Sequence, residues 1–303
     1  MSVATQTSIR QLADGREIAF DAVGPADGVP VFHCHSLFGC RLMPDFAEAA
    51  AERCGARLIS PDRPGLGLST LQPGRAVLDW PSDLLELADM LDIERFRLFG
   101  ESAGSPYILA SCLRAPDRVV RAAIAAGVTP WSVAGVIHEI VPKPIDALLM
   151  RSQLLARVAY RMLITGMQRQ PQRAMASLKG TVPPSDRRVL DRPEISEFLV
   201  ASGVEAARRG VRGWAYDDWL LNRPWGFAPA DLTAGVPISL WWGALDTSMP
   251  LALGERLAHE LPGATLHVKP QAGHFGVVFE TFDEILADLC ADTLAAAPTA
   301  DDA

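Results

Sequence analysis

The sequence is poor in cysteine, in positive charge and in long apolar runs, and each shortage excludes something. The five cysteines, Cys34, Cys40, Cys54, Cys112 and Cys290, are odd in number and scattered. They form no metal-ligand spacing and no disulfide framework, so free thiols, a reducing cytoplasm and no resident metal are expected. Cys34 and Cys40 are close in sequence, but a disulfide between them is not expected. Lys and Arg number 28 against 36 Asp and Glu, a formal net charge of −8. Phosphate binding needs a basic face, so nucleic acid is not the expected partner. No apolar stretch approaches the roughly 20 residues that span a bilayer, so no membrane partner is expected either. The opening MSVATQTSIRQ lacks the basic and apolar regions of a secretory signal.

What is present is a 303-residue chain, 49% hydrophobic and 21% charged, with ample material for a buried core. Short apolar runs punctuated by Gly and Pro recur: VPVFHCHS, GARLISPDRPG, RFRLFGES and VVRAAIAAG. Such runs suit strands of a parallel sheet covered on both faces. REIAFDAVG alternates as an edge strand does and ends in a turn cluster. Amphipathic helices lie between. In DWPSDLLELADMLD, Leu84, Leu87, Ala88 and Leu91 share a face, with Pro81 and Asp83 suiting the first turn. Repeated strand–helix units imply right-handed crossovers.

From about Trp131 to Trp225 the strand runs stop. Two helical stretches, IDALLMRSQLLARVAYRMLI and EISEFLVASGVEAARRGVRGWAYDDWLL, are separated by KGTVPPSDRR. Alternation then resumes with VPISLWWGALD, LALGERLAHEL, ATLHVKPQAGH and FETFDEILADLCADTL. In the last of these Phe282, Ile285, Leu286 and Leu289 share a face. The expected organisation is an α/β core over residues 1–130 and 229–292, a helical insertion over 131–228 and a disordered tail over 293–303.

GESAGSP follows RFRLF and precedes a helical pattern. A serine flanked by glycines at a strand-to-helix turn is either a small-residue turn or a nucleophile on a tight elbow. A hydroxyl needs an adjacent base, and the base a third group to orient it. Asp246 sits at the carboxyl end of a predicted strand and His274 in a loop after the last one. The order Ser102, Asp246, His274, all at carboxyl ends of strands, favours the nucleophile. Bland alternatives are a turn serine, an aspartate capping the helix that starts near Pro250, and a loop histidine.

With these residues in place the chain resembles the α/β-hydrolase superfamily, in its serine-nucleophile, capped, esterase- or prolyl-aminopeptidase-like branch. SPDRPGLGLS (60–69) is similar to the D-R-P-G-x-G-x-S loop after that superfamily's fourth strand. HSLFGCRL (35–42) is similar to the H-G-x-P-G-S-R-L stretch after its third. The resemblance implies a mostly parallel, eight-stranded sheet flanked by helices and interrupted by a helical cap. It also implies an oxyanion hole made by the backbone amides of Leu37 and Ala103. Ser36, Phe38 and Cys40 depart from the family's Gly, Pro and Ser, which puts the shape of that hole in question. Trp242 stands where relatives often have His.

Other expectations concern support. Glu101 should point away from Ser102 and act as a packed, hydrogen-bonded prop. Asp62 and Arg63 should fix their loop. Asp217 and Asp218 should face solvent or cap a helix. Phe38, Trp131, Trp214 and Trp219 are candidates for an apolar roof over the substrate. The expected activity is hydrolysis of an ester, thioester or lactone of a small hydrophobic substrate, with no cofactor. Alternatives are a non-hydrolytic lyase, cyclase or acyl transferase, and a ligand-binding protein with a residual triad. Oligomeric state is left open, a homodimer included.

Overall fold

The computed structural model describes residues 7–130, 152–233 and 235–294. Eight strands form one sheet: β1 (Ser8–Gln11), β2 (Glu17–Val23), β3 (Val29–Cys34), β4 (Ala56–Pro61), β5 (Phe96–Glu101), β6 (Val119–Ala125), β7 (Ile238–Gly243) and β8 (Thr265–Lys269). Their order is β1-β2-β4-β3-β5-β6-β7-β8. β1 and β2 pair antiparallel, as do β2 and β4, and the remaining pairs are parallel. The expected mostly parallel, eight-stranded sheet is therefore what the chain forms.

Period-2 alternation explains why both faces are apolar. Phe32, Leu98, Ala122 and Leu240 point to one face. They meet α2 (Trp80–Met90), α3 (Ser105–Arg114) and α9 (Leu251–Glu260). Their neighbours Val31, Phe99, Ala123 and Trp241 point to the other. These meet α1 (Asp45–Cys54) and α11 (Phe282–Leu294). Leu84, Leu87 and Ala88 of α2 and Phe282, Ile285, Leu286 and Leu289 of α11 are all buried, as their spacing predicts, while Leu91, the residue after α2, is only half-buried.

Two expectations about elements are corrected. REIAFDAVG is not an edge strand: β2 lies between β4 and β1. The edge strand β1, SIRQ, is short and largely exposed, so it carries no apolar pattern to read. Between β6 and β7 the described residues form five α-helices rather than two, α4 (Gln153–Arg169), α5 (Pro171–Thr181), α6 (Pro184–Leu190), α7 (Pro193–Ala206) and α8 (Arg212–Leu221), and one short 3-10 turn, Pro229–Asp231. KGTVPPSDRR was expected to separate helices, but most of it is helical. Pro171, Pro184 and Pro193 occupy the first helical positions of α5, α6 and α7. A first-turn N–H has no partner to lose, so proline starts these helices instead of breaking them. The tail was expected from residue 293, but the last helix runs to Leu294; residues 295–303, and Trp131, lie outside the described residues. Among the described residues no helix is long and apolar enough to cross a membrane. All five cysteines are free and buried, Cys34 and Cys40 included.

Candidate active site

Ser102 occupies the turn between β5 and α3 with φ +50°, in the left-handed region. For a residue with a Cβ that conformation costs on the order of 1–2 kcal/mol, so the surroundings must hold it. Its carbonyl accepts the Val128 amide at 3.0 Å and the Ser105 hydroxyl at 3.0 Å. The glycines two residues either side are set by one atom, the Cys34 carbonyl oxygen at the end of β3. A Cβ at Gly100 would lie 2.6 Å from it, and one at Gly104 only 1.9 Å. Gly104→Ala should therefore destabilise the fold by about 1–3 kcal/mol or more, as overpacking does, measured by urea unfolding. Gly180→Ala on α5, where a Cβ meets nothing within 4 Å, should instead stabilise by about 0.5–1 kcal/mol.

Asp246 lies in the turn after β7 and is 5% exposed. Its Oδ1 accepts the amides of Ser248 and Met249 at 2.8 and 2.7 Å. That leaves Oδ2 for His274 Nδ1, at 2.9 Å. The helix α9 begins at Leu251 with Pro250 as N-cap and no side-chain cap, so Asp246 does not serve it. Trp242 braces this turn. Its indole N–H donates to the Met249 carbonyl at 2.7 Å, across the turn that carries Asp246. The ring packs where a Cβ on Gly254 would come within 2.5 Å.

His274 is the first residue of α10 (His274–Phe279), not a loop residue. Burial opposes the charged imidazolium. Asp246, by its charge and its hydrogen bond, prevails and raises the His274 pKa above the ordinary 6.5, with Asp186 and Glu101 adding to it.

The loop after β3 is anchored at several points. Glu101 Oε1 accepts the Ser36 amide at 2.8 Å and Oε2 lies 2.7 Å from His33 Nε2, whose Nδ1 lies 3.0 Å from Ser60 Oγ. Glu101 is thus the expected prop. Burial would raise its pKa, but His33, the Ser36 amide and Arg63 hold it below the ordinary carboxylate range. Arg63 donates to the His35 carbonyl and to the Ser36 carbonyl at 3.1 Å. His35, fully buried beside Arg63, has its pKa held well below 6.5, by burial first and then by that positive charge. No acceptor for the Leu37 amide is found among the described residues. Ala103 follows Ser102 at the start of the helical turn.

Asp62 and Arg63 do fix their loop. Asp62 accepts the Arg41 and Leu68 amides at 2.6 and 2.9 Å and pairs with the Arg41 guanidinium at 3.0 Å. Asp217 neither faces solvent nor caps a helix: it is wholly buried and pairs with Arg63 and Arg75 at 2.8 and 2.5 Å. Asp218 is buried as well. Of the departures from the family loop, Phe38 packs edge-on against Trp214 at 5.0 Å. Cys40 Sγ lies 3.5 Å from the Ser202 carbonyl.

Two cavities meet at Ser102 and His274. The larger, about 550 Å³, runs under the helical segment past Met162, Leu163, Met167, Leu178 and Leu199. The smaller, about 70 Å³, lies among Phe46, Phe99, Phe198, Phe279 and Phe282. Phe38 lines both. Trp214 and Trp219 line neither. Trp214 is fully buried and stacks on Tyr160 at 5.1 Å. Trp219 lies under the Arg223 guanidinium at 4.0 Å. Among the described residues the roof is lined by aliphatic and thioether side chains with Gln170 and Arg173 among them, and by no indole. Apolar helix positions with methionine were the only signal for it, and buried packing produces the same pattern.

Fold and site together define the class: the chain belongs to the α/β-hydrolase fold family, which it matches over residues 29–281. It is 25% identical over 214 residues to the 2-hydroxy-6-oxononadienedioate/2-hydroxy-6-oxononatrienedioate hydrolase of Paraburkholderia xenovorans, covering 68% of this chain and 65% of that one. The chain spans less than two thirds of the length of the curated relatives it matches. Among solved structures, the enol-lactonase of Burkholderia xenovorans superposes with a TM-score of 0.66 at 18% identity, covering 95% of this chain and 100% of that one. A structure from work on Nitrososphaera carboxylesterases superposes with a TM-score of 0.67 at 16% identity, over 95% and 100% of the two chains.

Proposed function

We propose that the protein is a serine hydrolase that cleaves an ester, thioester or lactone of a small hydrophobic substrate through an acyl-enzyme. The observation that carries this reading is the 2.9 Å contact of His274 Nδ1 with Asp246 Oδ2, on a cavity wall shared with a left-handed serine. Neighbours at this identity carry the fold only, so the reading rests on the site.

In this mechanism Ser102 Oγ attacks the carbonyl carbon as its proton passes to His274 Nε2. The Leu37 and Ala103 amides donate to the oxyanion. The intermediate collapses, and the leaving alcohol or thiol takes the proton from His274. A water then gives its proton to His274 and its oxygen to the acyl carbon. Ser102 leaves with the returned proton. Residues 131–228 act as a cap. The bulky apolar part of the substrate fits the large cavity, whose methionines adapt to varied shapes. The small aromatic cavity takes the lesser part.

The base works only when neutral. With the His274 pKa raised, kcat/KM should fall as pH drops through a midpoint above 6.5. The same shift has a stability consequence of opposite sense. The His274 contribution is complete below the unfolded value of about 6.5 and is lost as pH rises through the folded one.

The test is hydrolysis of p-nitrophenyl esters of short to long acyl chains in ¹⁸O-water, with fluorophosphonate labelling followed by peptide mapping. One solvent oxygen in the product acid and a label on Ser102 are expected. Product without solvent oxygen would move the assignment to acyl transfer or a lyase. A folded sample that turns over no ester and takes no label would overturn it.

A further inference from the structure

Asp186 belongs to the helical segment, yet its carboxylate reaches the core loop that carries His274. It is 1% exposed. Its Oδ2 accepts the His274 amide at 2.9 Å, and its Oδ1 accepts the amides of Phe275 and Gly276 at 2.8 and 3.0 Å. These are the first amides of α10, whose own N-cap, Gly273, has no side chain to offer. Such donors are usually met by a neighbour in sequence or by water. Here the acceptor comes from 88 to 90 residues earlier in the chain. Gly273 makes the approach feasible, since a Cβ there would lie 2.4 Å from Asp186 Oδ2.

We propose that Asp186 is a positioning residue for the active-site base: it fixes the backbone of His274 so that the imidazole keeps its contact with Asp246, and it sets a second carboxylate beside the ring. The role of His274 rests on the serine-hydrolase reading above; the geometry does not. The consequence is that the base is aligned only while α6 is docked on the core. The segment that roofs the substrate also completes the machinery.

The charged groups around His274 are Asp246 from the turn after β7, Asp186 from α6 and Glu101 from the end of β5. Glu280, at the C-terminal end of α10, turns its carboxylate back towards Gly276, as Asp186 does, and pairs with Arg188 of α6 at 3.5 Å. Burial raises the Asp186 pKa, while the Gly276 amide and His274 favour its charged form. Removing the Asp186 charge should therefore lower the His274 pKa.

The experiment uses the full chain carrying ¹³C-labelled histidine, with the His274 signal identified by its loss in His274→Gln. In Asp186→Asn the His274 midpoint should fall by about half a pH unit or more, as loss of a nearby carboxylate requires. The acid limb of kcat/KM should move down with it. In Asp186→Ala kcat/KM should fall about 10- to 100-fold with KM little changed, the effect of a misplaced base. A cap with a purely structural role would lower Tm and leave the midpoint where it was. An unmoved midpoint in folded Asp186→Asn overturns the proposal, as does Asp186→Ala within twofold of wild type. If Asp186→Ala does not fold, the near-isosteric Asp186→Asn decides through the titration. If the wild type hydrolyses no ester, the serine-hydrolase reading fails, and the titration still tests Asp186.

Discussion

Asparagine at position 246 should lower kcat by about 10⁴-fold in a protein that still folds, the loss such a substitution causes in serine proteases. The reason lies in the two amides on Oδ1. The Ser248 and Met249 N–H groups demand an acceptor there, at 2.8 and 2.7 Å. An Asn side chain must satisfy them with its carbonyl oxygen, so its NH₂ is turned towards His274. It then donates to Nδ1 where the carboxylate accepted. The imidazole is driven into the tautomer with its proton on Nε2, which cannot take a proton from Ser102. Shape is kept and chemistry is lost. Turnover of the best p-nitrophenyl ester should approach that of Ser102→Ala, whose residual rate sets the floor. Asp246→Asn within tenfold of wild type would remove Asp246 from the mechanism.

How much of this could be read from the chain depends on the range of the interaction. The sheet was legible because strands buried on both faces leave short apolar runs that any reader can find. The elbow was legible because Gly100 and Gly104 answer a purely local demand, the closeness of the Cys34 carbonyl. The contact between Asp246 and His274 was legible only through chain order, which a known fold translates into proximity. β1 left no trace because four largely exposed residues need no apolar pattern. The helical segment was miscounted because proline reads as a stop when it is a start. Asp186 and Asp217 were unreadable for a deeper reason. Their partners lie 88 to 90 and 110 to 154 residues away. Taken alone, each is an ordinary acidic residue in a helical stretch. Only the docking of the segment on the core turns both into buried anchors, one for the backbone of His274 and one for the loop after β3.

Asp217→Ala should be the most damaging change to stability away from the reacting atoms. Asp217 is wholly buried between two guanidinium groups whose side chains are 0% and 1% exposed. Tyr107 also donates its hydroxyl to Oδ1. Burial alone would raise the carboxyl's pKa, but Arg63 and Arg75 drive it far below the ordinary 3.8. Its stabilisation is therefore complete above about pH 4 and is lost only as pH falls through the depressed folded value. Deleting the anion leaves two buried cations uncompensated, which costs about 3–5 kcal/mol. The transition should drop by roughly 5–15 °C. Tyr107→Phe, which removes the hydrogen bond to Asp217 and the one accepted from Arg75 but no charge, should cost less, about 1–3 kcal/mol. Activity should suffer beyond the fraction unfolded, because Arg63 is the group that holds the His35 and Ser36 carbonyls. Freed from Asp217, it no longer fixes the backbone that aims the Leu37 amide. Calorimetry beside kcat at a temperature where both variants remain folded separates the two effects. A kcat unchanged in folded Asp217→Ala would mean that the loop after β3 keeps its shape without this link to α8.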